Sequence, residues 1–114
     1  PMTIIYPGAI VATDSSPAGS ALAPNVVSAD GSVGIRIPDN PFCKALISRF
    51  GRAIVSTSAN LSGNEAPANY SAISEEIINS VDWIADPSLE SDSTGEASQI
   101  IKVGLRGEIA IIRG

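Results

Sequence analysis

The sequence contains no histidine. That excludes histidine-bearing zinc sites, Ser-His-Asp triads and Cys-His dyads within the chain. Any chemistry must come from carboxylates, arginine, lysine, hydroxyls, backbone N–H groups, or a metal carried by a substrate. A single cysteine, Cys43, leaves no internal disulfide and fits a reducing compartment such as the cytoplasm. Cys43 falls on an apolar helical face, so it reads as a core thiol rather than a nucleophile. Aromatic residues make up 4% of the chain, so a core has to be built from Ile, Val, Leu and Ala. No apolar run approaches the roughly 20 residues of a membrane span, and no secretory signal is visible. No membrane partner is expected.

Cations are missing from a long central stretch. No Lys or Arg stands between Ala53 and Ile101, while Glu75, Glu76, Asp82, Asp86, Glu90, Asp92 and Glu96 all do. Arg36, Lys44, Arg49 and Arg52 crowd a short segment just before it. Most of these charges read as solvated faces of opposite sign. The formal net charge of −5 argues against a free-standing nucleic-acid binder.

What is present is one modest domain: 114 residues, 44% hydrophobic and 17% charged. The spacing predicts a strand at Thr3-Ile4-Ile5-Tyr6, stopped by Pro7-Gly8. Residues 8–31 form a long loop before a core at 32–114, with a short ordered turn within Leu22 to Val27. The segment Ser32 to Ile37 alternates: Val33, Ile35 and Ile37 share one face, and Ser32, Gly34 and Arg36 share the other. Asp39-Asn40-Pro41 opens a helix whose apolar stripe is Cys43, Leu46, Ile47 and Phe50, closed by Gly51. Ala53-Ile54-Val55 predicts another strand. Ser71 is the expected cap of a second helix through Ser80, with Ile73, Ile77 and Val81 in step. Trp83-Ile84-Ala85 predicts a short strand, and Pro87 to Gly95 an acidic loop. Ser98 to Val103 and Glu108 to Ile112 pair as a hairpin across Gly104-Leu105-Arg106-Gly107. This order predicts an α/β fold with a mixed sheet.

Two features carry chemical information. The stretch STSANLSG at 56–63 follows an apolar run directly. It reads either as a tight turn or as a nest of backbone N–H groups and hydroxyls for phosphate or carboxylate oxygens. It is not a P-loop, because no Lys follows. On the Ser32–Ile37 strand, the hydroxyl, bare backbone and guanidinium of one face suit an anion. An ordinary exposed Arg on a half-buried strand explains them equally. One helix separates the two features, so their strands are expected side by side in one sheet, presenting a guanidinium and a hydroxyl cluster together.

The run GSVGIRIPDNP, STSANLSG about 20 residues beyond Arg36, VD at 81–82 and the terminal RG resemble the YrdC family, the L-threonylcarbamoyladenylate synthases. PMTIIYPG resembles the family's P-x-T strand. The resemblance covers most of the chain outside residues 8–31. It implies a YrdC/RibB-like α/β fold, a twisted mixed sheet with flanking helices. It also implies an enzyme that joins L-threonine, bicarbonate and ATP into threonylcarbamoyl-AMP, releasing pyrophosphate. That product feeds tRNA modification, so downstream tRNA-modifying transfer proteins are implied partners. Arg36, Ser56 and Ser98 would then face threonine. Ser32, Ser58, Asn60, Ala66 and Arg113 would face ATP, and Mg2+ would arrive with the phosphates. No residue is expected to act as nucleophile, general base or metal ligand.

The chain departs from the family at Gln99 and Lys102, where Thr and Asp are more usual. It also carries neither a Pro-Thr-Asp-Thr-like element nor a Lys-x-Arg pair, so it resembles the C-terminal portion of a single YrdC-like domain. Such an incomplete sheet would bare an edge and an apolar face, which makes a homo-oligomer a reasonable expectation. Two other readings compete: a module that binds double-stranded RNA or tRNA, and a carbamoyl-transfer domain of the hydrogenase-maturation kind. The 114-residue chain alone is expected to be catalytically inactive. Threonine-dependent release of pyrophosphate from ATP by this chain would overturn that expectation.

Overall fold

Val, Ile and Tyr favour the pleated, half-buried surface of a sheet, and the strands fall where those residues gather. The computed structural model describes residues 2–16 and 21–114. Pro1 and residues 17–20 of the predicted long loop lie outside the described residues. Four strands form: β1 (Met2–Tyr6), β2 (Val33–Ile35), β3 (Gln99–Val103) and β4 (Ile109–Arg113). They make one open sheet in the order β2-β1-β3-β4. β1 is antiparallel to β2 and parallel to β3, and β3 is antiparallel to β4, so the sheet is mixed as the sequence predicts.

The chain divides into two compact units, residues 1–54 with 98–114 and residues 55–97. The first unit holds the sheet and helix α1 (Pro41–Phe50). α1 starts and stops as its sequence dictates. The Asn40 side chain accepts from the Cys43 N–H at 3.0 Å, and Pro41 fills the first turn. Gly51 ends the helix in the left-handed region at φ 81°, where a Cβ would be strained. In the β3–β4 turn, Gly107 has φ 83° and the Gly104 N–H closes on the Glu108 carbonyl at 2.8 Å.

Register gives each sheet face its character. Ile35, Ile4, Ile101 and Ile111 stand in one row across all four strands. Ile4 and Ile101 are half-buried, while Ile35 and Ile111 are exposed. No hydrophobic residue is buried among the described residues. The opposite face carries Gly34, Ile5, Lys102 and Ala110 in one row, with Thr3, Ile100 and Arg113 in the next.

The second unit is mostly loop. It contains a 3-10 turn at Tyr70–Ala72, helix α2 (Glu75–Ser80) and a 3-10 turn at Pro87–Glu90. The Tyr70 N–H donates to both Glu90 carboxylate oxygens at 2.9 and 3.2 Å, joining the two 3-10 turns.

Four sequence expectations are corrected. Ala53-Ile54-Val55 is not a strand, and neither is Trp83-Ile84-Ala85. Apolar β-formers make a strand only when a neighbour completes the ladder, and no described strand pairs with either segment. Consequently β2 has β1 as its one sheet neighbour, and the expected juxtaposition of the Arg36 and STSAN strands does not occur within the sheet. Finally, Ser71 does not cap α2. Its hydroxyl donates to Asn69 Oδ1 at 2.7 Å, and Asn69 accepts from the Ala72 N–H at 3.1 Å. Ile73 turns extended, and Ser74 becomes the cap by accepting from the Ile77 N–H. The amide side chain of Asn69 thus takes the upstream turn and delays the helix.

Replacing Asn40 by Ala leaves the Cys43 N–H without its side-chain acceptor. Asn40→Ala is expected to cost about 1 kcal/mol, read as a lower denaturation midpoint at unchanged slope.

Candidate functional site

Ser32 and Ser98 are the two buried residues among those described, at 4% and 8% exposure. Both are candidate site residues, and hydrogen bonds hold each in place. Ser98 shares a 2.8 Å hydrogen bond with the Thr3 hydroxyl. Arg113 donates twice to Ser98, from Nε to its carbonyl at 2.8 Å and from Nη2 to its hydroxyl at 3.2 Å. The structure therefore brings Ser98 and Arg113 into direct contact.

A bulge makes that contact. Lys102 pairs with Ala110 and Ile101 with Ile111, but Ile100 pairs with Arg113, so Ile112 is an extra residue. Strict alternation from Ala110 would send Arg113 to the isoleucine face. The inserted residue shifts the parity by one and turns Arg113 onto the face of Thr3 and Ser98.

Arg36 lies one residue beyond β2. Because Ile35 pairs with Ile4, the next register position is opposite Thr3. Arg36 is exposed and makes no ion pair or hydrogen bond among the described residues. Gly34 stands just before it, and a Cβ there would meet Thr3 Cγ2 at 3.5 Å, so glycine leaves the surface beside Thr3 low. Arg36, Thr3, Ser98 and Arg113 thus belong to one end of the sheet: a guanidinium without a partner, two linked hydroxyls, and a second guanidinium already engaged.

Ser32 belongs to the other end, next to Val33, which pairs with Tyr6. Its N–H and hydroxyl both donate to Asp30 Oδ1, at 3.0 and 2.6 Å. The other oxygen of Asp30 pairs with Lys102 Nζ at 2.6 Å. Hydrogen bonds from Lys102 first, and then from Ser32, hold the Asp30 carboxyl well below the usual carboxylate range. Ser32 and Arg36 are four residues apart, about 13 Å along an extended chain. The polar face is therefore long enough for two ligands or for one extended ligand.

The remaining candidates lie in the second unit, in loops. Ser56, Ser58 and Ala66 are exposed. Asn60 donates both amide hydrogens to its own loop, to the Leu61 and Asn64 carbonyls at 3.0 Å each, and its Oδ1 is buried without a partner. Asn60 thus shapes the NLSGN turn, and its one uncommitted atom is an acceptor. Part of the STSANLSG stretch is a turn, with Gly63 at φ 86°, while its serines stay open to solvent.

Sequence reasoning named neither Thr3, Asp30 nor Lys102 as a site residue. The P-x-T pattern was a signal for Thr3. Asp30 and Lys102 are 72 residues apart, and neither carries a local signal of their pairing.

An open α/β sheet with one polar, cation-bearing face falls in the class of domains suited to anionic ligands. The comparisons narrow that class. Residues 2–114 match the Sua5/YciO/YrdC family model, described as "Telomere recombination". The chain belongs to this family. It is 41% identical over 56 residues to the threonylcarbamoyl-AMP synthase of Dichelobacter nodosus, covering 49% of this chain and 30% of that protein. The enzyme of the same name from Idiomarina loihiensis is 33% identical over 72 residues, covering 63% and 36%. That of Bacillus subtilis is 36% identical over 66 residues, covering 58% and 19%. The matched stretch thus spans about a third or less of these relatives' lengths. No solved structure matches the chain. No helix among the described residues is long and apolar enough to cross a membrane.

A carboxyl with a lowered pKa contributes its interactions above its unfolded value and loses them as pH falls through the folded one. The Asp30 tie therefore persists through mild acid and is released only in strong acid. Carboxyl-carbon NMR is expected to show Asp30 titrating below the ordinary aspartate value of 3.8. Lys102→Met should move it back toward the ordinary 3.8.

Proposed function

We propose that this chain supplies the threonine- and nucleotide-binding face of an L-threonylcarbamoyladenylate synthase. The observation that carries the proposal is the bulge at Ile112, which turns Arg113 onto the polar face beside Ser98, in register with the free guanidinium of Arg36. The names of the relatives support the same reading.

The reaction suits these groups. Threonine's amine captures bicarbonate-derived CO2 as a carbamate. A carbamate oxygen attacks the α-phosphorus of MgATP, the bond to the β-phosphate oxygen breaks, and pyrophosphate leaves. Threonylcarbamoyl-AMP remains. No protein nucleophile is needed; the site orients the reactants and offsets charge. Arg36 pairs with the threonine carboxylate, which a planar guanidinium matches with two parallel donors. The Ser98 hydroxyl completes the threonine side. Ser98 already accepts from Arg113, so its proton is free to point at the carboxylate when Thr3 donates to it. Arg113 and Ser32 serve ATP, with Mg2+ entering on the phosphates. The product is the adenylate used for threonylcarbamoyl modification of tRNA, in the cytoplasm.

Direct RNA binding is the less favoured alternative. The chain's net charge of −5 opposes it, and the isoleucine face offers nothing to phosphate. Nothing in the chain favours the hydrogenase-maturation reading.

Threonine- and bicarbonate-dependent exchange between ATP and pyrophosphate by the protein carrying this chain tests the proposal. Arg36→Ala is expected to raise the KM for threonine roughly 10- to 100-fold, with little change in the KM for ATP. An unmoved threonine KM would remove Arg36 from this role.

A further inference from the structure

Lys102 is the one cation of the polar sheet face without a role in the reading above. It stands opposite Ile5 on one side and Ala110 on the other, in the row next to that of Thr3, Ile100 and Arg113. Adjacent rows on one face are about 7 Å apart. The Lys102 ammonium reaches the Ser32 end of this face through Asp30, while the Arg113 guanidinium sits on Ser98 at the other end. None of the strand residues on this face is acidic.

The ammonium is held in place but not used up. One of its three N–H donors goes to Asp30 Oδ2 at 2.6 Å, and the side chain is 40% exposed. Asp30 cannot swing away with it, because its other oxygen is fixed by the Ser32 N–H and hydroxyl. A lysine otherwise gives up considerable rotamer freedom on binding an anion; here much of that ordering is already present in the free protein.

We infer that Lys102 is a further anion contact of this site, donating to the polyphosphate of the nucleotide while Asp30 holds it in position. The inference rests on the nucleotide reading above. The competing explanation is a clamp: Lys102 would hold Asp30, and through it the 28–32 loop, and would never touch a ligand.

Two substitutions separate these explanations. Lys102→Met removes both the contact and the clamp, whereas Asp30→Asn breaks the clamp and leaves the cation. Inorganic tripolyphosphate is the probe, since it carries the phosphates without the nucleoside. Its affinity for the protein is measured by calorimetry and by inhibition of the exchange reaction. If Lys102 binds phosphate, Lys102→Met weakens tripolyphosphate about tenfold and makes binding less sensitive to ionic strength. Lys102→Arg should retain binding, and Asp30→Asn should weaken it far less than Lys102→Met, because the cation remains and only its ordering is lost. The KM for threonine should stay constant in all three. Equal weakening by Asp30→Asn and Lys102→Met would establish the clamp and overturn the inference. So would wild-type affinity in Lys102→Met. A wild-type protein without threonine-dependent exchange would instead defeat the functional reading itself. Melting curves for each variant keep a folding defect from passing as a binding defect.

Discussion

The parity of β1 is the constraint on which the other features rest. Its five residues pair with β2 on one edge and β3 on the other. A shift of one residue on either side would exchange the faces. In the observed register, Ile4 joins Ile35 and Ile101, and Thr3 joins Ile100 on the other side. One pairing therefore decides both where apolar surface collects and where hydroxyls and cations collect. The Thr3–Ser98 hydrogen bond, the row containing Lys102 and the position opposite Thr3 that Arg36 takes up all follow from it.

The polar face combines pre-committed and open groups. Ser32 and Ser98 are buried and already bonded, and Arg113 is tied to Ser98. These groups define positions more than they offer new bonds. Among the described residues Arg36 is open and unpaired, and Lys102 keeps two donors beyond its ion pair. Such a division suits chemistry that depends on placing reactants and offsetting charge. Rigid partners lower the ordering cost of binding, and free cations provide the attraction.

Local chemistry was legible where it was sufficient by itself. Asn40, Pro41 and Gly51 determine the ends of α1 through their own side chains and backbone preferences, so that helix could be read directly. The β3–β4 hairpin was legible from its glycine-flanked turn, and β1 from its β-branched run. The errors came where a distant partner decides. Ala53-Ile54-Val55 and Trp83-Ile84-Ala85 have strand-like composition but no pairing neighbour. Ser71 lost the cap to Ser74 because Asn69 captured the preceding turn.

The same division holds for the site. The residue types of GSVGIRIP and STSANLSG left anion binding open beside a tight turn and an ordinary exposed Arg. They also pointed to the family that the comparisons then showed. The sequence could not reveal that Arg113 faces Ser98, because that depends on one extra residue between two strands. Nor could it pair Asp30 with Lys102 across 72 positions. Composition and local spacing determine which groups are available and how short segments begin and end, since those preferences act over a few residues. Which groups share a face depends on backbone pairing between remote strands, and only the tertiary structure decides that.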